Sequence, residues 1–141
     1  MSDRSGYTLI ELLVTVIIIA VISGLAINNY IRALQTGYER DIIMQIRMMQ
    51  NALEIEERTT GSYPIANLND RASINTALKL QIPDNNFFSS YQYTYFSGSG
   101  TPYYVIQVTT TSGWAVSYDH STQRYYCSSS TCPTCTATSC S

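Results

Sequence analysis

Gly6-Tyr7-Thr8-Leu9-Ile10-Glu11-Leu12-Leu13-Val14 opens a stretch with no charged side chain from Leu12 to Ile31. Twenty uncharged residues rising about 1.5 Å each make a helix of about 30 Å, the thickness of a bilayer's hydrocarbon core. Leu, Ile, Val and Ala dominate it, so it reads as a transmembrane helix. A secretory signal fits poorly, because the run is too long for a signal-peptide core and no A-x-A site follows. A buried core helix fits no better, since a chain of 141 residues is too small to surround an apolar rod of that length. Glu11 lies two residues inside the apolar stretch. An acid in lipid costs roughly 2.5–3.5 kcal/mol on insertion scales, which marks it as a functional residue. Thr8-Leu9-Ile10-Glu11 also matches a capping box, in which Glu11 reaches back to a free backbone N–H. On these residues alone, cap and functional acid both stand.

The same nine residues resemble the N-terminal signature of type IV prepilins and of the pseudopilins of type II secretion. The resemblance implies a leader, Met1–Gly6, cut after Gly6 by an inner-membrane prepilin peptidase that then N-methylates Tyr7. It also implies a precursor held in the bacterial inner membrane and extracted by an assembly platform and its ATPase. The product would be a homopolymeric helical filament on the cell surface. Glu11 would then meet the positive amine of Tyr7 on a neighbouring subunit, an amine still cationic at neutral pH with a pKa of about 7.7–8.0. Two departures stand out: Tyr7 replaces the usual Phe, and Asp3 offsets Arg4, the leader's cation.

Beyond the bilayer the helical period continues. Ile27, Ile31, Leu34, Tyr38, Ile42, Ile46, Met49 and Leu53 recur at fours and threes as one stripe, and Arg40, Arg47, Gln50, Glu54, Glu57 and Arg58 fall mostly off it. Gly61 stops the helix and Pro64 prevents its resumption. From Leu9 to Arg58 the helix would be about 75 Å long. Its second half can pack on a sheet and its first half cannot. Gly24, Asn28 and Asn29 are weak helix formers clustered at the membrane exit, so the helix is expected to loosen between Ile22 and Tyr30 in a filament, although the Pro that the family often carries where Asn28 stands is missing. Met44, Met48 and Met49 read as packing.

The body carries its own signals. Gly61-Ser62-Tyr63-Pro64 also resembles the turn by which pilins and pseudopilins leave the stem. Asn69–Leu80 has apolar residues at helical spacing. Tyr91–Phe96, Tyr103–Thr109, Trp114–Tyr118 and Arg124–Cys127 read as strands of a four-stranded antiparallel meander, with turn chemistry from Ser97 to Pro102. The fold class is therefore α+β: a long N-terminal helix packed on an antiparallel sheet, the type IV pilin fold. The expected organisation is a leader at 1–6, an assembly helix at 7–31, an amphipathic helix at 32–60 and a globular body at 61–141. Eight of twelve tyrosines lie between Tyr91 and Tyr126. Tyrosine is a good strand former with an apolar body and a wet tip, which accounts for them without conduction or glycan stacking.

Charge is sparse, at 13% of residues with a net charge of −2, which gives no reason to expect a nucleic acid partner. No catalytic constellation is present, no cofactor is implied, and the sole histidine, His120, falls in a turn expected to face solvent. Asp residues are not clustered for Ca²⁺ as in many major pseudopilins. Cys127, Cys132, Cys135 and Cys140 lie in the last fifteen residues as C-x4-C-x2-C-x4-C. In the oxidising compartment implied by the family orientation they read as two disulfides, with three possible pairings. A four-thiolate Zn²⁺ site is the competing reading, and a redox C-x-x-C a weaker one. The whole points to a structural filament subunit of a type IV pilus, without enzymatic turnover. Its alternatives are a type II secretion pseudopilin or minor tip pilin, and, from another class, a membrane-anchored zinc or thiol protein.

Overall fold

The computed structural model describes residues 8–98 and 100–128, with the side chain of Leu25 outside the description. The chain divides into two compact units, Met1–Leu34 and Gln35–Ser141. A single helix, α1 (Leu9–Thr60), runs through the boundary.

In the first unit the described Leu, Ile and Val side chains of α1 are all exposed, Leu9 to 83% and Ile19 to 63%. Burying one such side chain is worth about 1.5–3 kcal/mol, so a row of them on a single helix requires lipid or protein around it. This helix is long and apolar enough to cross a membrane. Its hydroxyls are handled as lipid demands: Thr15 Oγ1 donates to the Leu12 carbonyl at 2.8 Å and Ser23 Oγ to that of Ile19 at 2.7 Å. α1 stays helical through Gly24, Asn28 and Asn29 in the single chain; the expected loosening concerns the filament.

In the second unit the amphipathic stripe does what its period requires. Ile42, Ile46, Met49 and Leu53 are fully buried, and Tyr38 packs at their margin. Glu54 and Arg58 pair at 3.7 Å, but both are exposed and contribute little to stability. The helix ends where Gly61 takes φ +82, a left-handed conformation, and donates its N–H to the Glu57 carbonyl at 2.7 Å. A short helix, α2 (Arg71–Leu78), follows. Asp70 caps it by accepting from the Ser73 N–H at 2.8 Å and from the Ser73 hydroxyl. These bonds hold the Asp70 carboxyl below its ordinary range. Ile74 and Leu78 anchor α2 in the core.

Four strands complete the body: β1 (Phe88–Phe96), β2 (Tyr103–Thr110), β3 (Ala115–Asp119) and β4 (Arg124–Cys127), antiparallel in the order β1-β2-β3-β4. The meander is the expected one, with β1 starting three residues earlier than Tyr91. Phe88-Ser89-Ser90 lacks a clean alternation because a register shift falls between Phe88 and Ser90. There Ser89 Oγ bonds the carbonyls of Thr109 and Thr110. Trp114 is a turn residue rather than strand: its carbonyl accepts from the Thr110 N–H at 2.8 Å across a loop where Gly113 holds φ +87.

Register sets the inner face. Tyr93, Ile106, Tyr118 and Tyr125 lie in one cross-strand row, and Tyr91, Val108, Val116 and Cys127 in the next. The buried members of these rows join the α1 stripe in one hydrophobic core. The outer edge of β1 is covered by Leu68, which exchanges backbone bonds of 2.7 and 2.9 Å with Tyr93.

Candidate assembly site at the helix N-terminus

Thr8 and Glu11 form a reciprocal cap. Glu11 Oε2 accepts from the Thr8 N–H at 3.2 Å and from Thr8 Oγ1 at 3.2 Å, and the Glu11 N–H reaches Thr8 Oγ1 at 3.4 Å. The Thr8 carbonyl accepts the first helical bond, from Leu12 N–H at 3.2 Å. The capping reading of Glu11 is thus realised in the single chain. It does not consume the acid, because both contacts to the carboxylate use Oε2, and Oε1 accepts from no described residue. The remaining lone pairs belong to an exposed carboxylate at a helix N-terminus, where the macrodipole already favours negative charge. They suit a cation arriving from outside the chain. Gly6 and Tyr7, the expected cleavage and methylation pair, lie outside the described residues.

The sheet carries no comparable chemistry. Four of its tyrosines each donate to a fixed partner. Tyr91 donates to Gln45 Oε1 at 2.9 Å, Tyr125 to Gln50 Oε1 at 3.0 Å, Tyr93 to the Pro64 carbonyl at 2.9 Å and Tyr118 to Gln123 Oε1 at 2.8 Å. Burial pushes the Tyr63 and Tyr91 phenols up to about 12, and those of Tyr93, Tyr104 and Tyr118 above their ordinary value as well. Phenols so placed stay neutral and serve as packing with a fixed hydrogen bond.

Three polar residues have roles that sequence reasoning missed. Gln45 is buried and Gln50 half-buried, and each receives a tyrosine from the sheet. Gln45 falls on the flank of the apolar stripe, where a polar residue near a core face was the one available signal. His120 is half-buried and does not point freely into solvent. Its ring stacks on Tyr104 with centroids 4.6 Å apart, its Nε2 lies 3.4 Å from the Tyr63 hydroxyl, and its Nδ1 is buried without a partner. The residue does sit in a turn, but that turn follows β3 directly, so the ring folds back over the next aromatic row.

Cys127 sits buried at the end of β4. Cys132, Cys135 and Cys140 lie outside the described residues. Among the described residues there is no free cysteine and no group of three His, Cys, Asp or Glu arranged to hold a metal ion.

An apolar helix with a capped acid in its first turn continues into a helix-on-sheet body, an arrangement that fits the pilin fold. Residues 1–27 match the model of the prokaryotic N-terminal methylation motif, the signature shared by type IV pilins and pseudopilins. This motif implies processing by a prepilin peptidase and assembly within a pilus or secretion machinery, and it suggests a structural protein. No curated protein and no solved structure matches the chain significantly.

Proposed function

We propose that this chain is the structural subunit of a type IV pilus filament, cut between Gly6 and Tyr7 and N-methylated on Tyr7. The observation that carries the reading is the capped Glu11 within the methylation motif, heading a wholly exposed apolar helix. Cleavage would leave the chain starting one residue before its helix cap, so the new amine and the acid belong to the same helix end. In the membrane the acid costs energy. In the filament Glu11 Oε1 meets the Tyr7 amine of the next copy while Oε2 keeps the cap, and docking and register gain more than raw stability does. The apolar helices of 7–31 bundle in the filament interior and the bodies cover them.

The four cysteines form two disulfides that hold the C-terminal tail. Cys127, fixed and buried at the end of the last strand, gives such a tail a rigid anchor. The deciding experiment is mass spectrometry of the mature N-terminal peptide together with the protein content of sheared surface filaments. An N-methyl-Tyr7 terminus in a filament made mainly of this chain is expected. A terminus at Met1 or beyond Ala26 overturns the reading. A processed chain found in filaments only as a trace, or only in a secretion complex, moves it to a minor pilin or a pseudopilin.

A further inference from the structure

α1 has a second stripe that its own sheet does not use. Turned away from the buried row of Ile42, Ile46, Met49 and Leu53 lie Met44, Met48, Asn51 and Ile55, spaced by threes and fours like the seam of a coiled coil, with half-buried Asp41 on the margin nearer the sheet. Met44 is exposed to 64%, Met48 to 37% and Ile55 to 65%. Arg40 and Arg47 stand along one flank of this seam, and with Ile43 and Met44 they line a shallow depression: two guanidinium groups over an apolar floor. The ion pairs among the described residues are Glu54–Arg58 and Arg71–Asp84, so Arg40, Asp41 and Arg47 form none among the described residues.

An apolar strip with an acid on one margin and two arginines on the opposite flank is complementary to itself when shifted sideways. We infer that this face docks a second copy of the chain in parallel, with Asp41 of the neighbouring copy seated in the depression between Arg40 and Arg47. The contact joins unlike surfaces, flank to margin, so it propagates along a filament instead of closing a two-fold dimer. The inference rests on the filament reading for the parallel orientation, since every copy enters from the same membrane.

A strip of a few side chains on one helix is short of the roughly 20–30 residues a side that a stable interface brings together. The contact therefore does not hold two bodies together in solution. It sets the register of copies already gathered by their apolar helices, the use of charge pairs that is best attested.

The test uses the full chain in cells that assemble it. Asp41→Arg is expected to lower filament yield about tenfold, the equivalent of about 1.4 kcal/mol per subunit contact, at unchanged membrane level and N-terminal processing. The same loss is expected of Arg40→Asp with Arg47→Asp. All three reversals in one chain should restore yield, because the guanidinium introduced at position 41 then meets the new acids of its neighbour. Wild-type assembly by Asp41→Arg, or no recovery in the triple variant, overturns the contact. A second measurement separates this from failure of the filament reading. Copies carrying Asp41→Cys and copies carrying Arg47→Cys, expressed together, should be joined in membranes by a short bis-maleimide. A wild type that is processed but never forms filaments sinks the filament reading, while absence of the cross-linked product sinks the contact.

Discussion

The bond from Tyr91 to Gln45 fastens the sheet to α1 and should dominate the polar part of that docking. Both residues are buried, Tyr91 at 5% and Gln45 at 2% exposed, and the hydroxyl lies 2.9 Å from Oε1. Tyr91→Phe keeps the ring and removes the donor, which leaves a buried amide oxygen facing a hydrocarbon edge. Such an orphan costs about 1–3 kcal/mol, whereas an ordinary hydrogen bond contributes about 1 kcal/mol net. Gln45→Leu leaves the phenol orphaned instead, at similar cost. The double variant replaces both partners by apolar groups of similar shape, so it should lie close to wild type, with a coupling energy as large as the two single costs together, about 2–6 kcal/mol. Urea unfolding of the full chain in mild detergent, followed by the fluorescence of Trp114 in the same core, measures this. With a urea slope of about 1–3 kcal/mol per molar, each single variant should lower the midpoint by about 1 M. A Tyr91→Phe protein within about 0.5 kcal/mol of wild type, or a double variant as unstable as the sum of the singles, would refute the reasoning.

Alkaline titration should show the buried phenols. Because their folded pKa values lie above the ordinary 10.0, with Tyr63 and Tyr91 near 12, unfolding is favoured only once pH passes 10, where the unfolded phenols ionise and the folded ones resist. Tyrosinate absorbance should therefore appear in two stages, the exposed rings first and the buried set together with unfolding; a single smooth rise near pH 10 would contradict the packing. Glu11→Ala should insert into the membrane yet assemble poorly, with Glu11→Gln slightly better because it can keep the cap with Thr8. Normal filament yield from both would remove the assembly role. Non-reducing peptide mapping of the secreted form should find Cys127, Cys132, Cys135 and Cys140 in two disulfides, each contributing about 2–3 kcal/mol through the unfolded state; four free thiols or one stoichiometric Zn²⁺ would overturn that claim.

What was legible in the chain divides along the range of the forces involved. The apolar run from Leu12 to Ile31 and the stripe from Tyr38 to Leu53 are local periodicities, and a period states which face must be covered without saying by what. The strands showed themselves the same way, since Tyr91, Tyr93 and Tyr95 alternate on one face. Thr8 and Glu11 are three residues apart, so the cap could be read off and found. Gln45 and Gln50 could not, because their partners lie 46 and 75 residues along the chain and register, not composition, brings them there. His120 departs from its local signal for the same reason: a polar turn predicts solvent, but the pairing of β2 with β3 delivers its ring onto Tyr104. The functional proposal rests on the short-range part of this code. On the filament reading, a peptidase and a neighbouring helix would both meet the chain end as a linear segment, before or apart from the sheet. The body meets its own helix only through tertiary register. The proposed leader, Tyr7 and Glu11 would therefore have to be written close together in sequence, whereas the tyrosines of the sheet need only their alternation and a glutamine within reach.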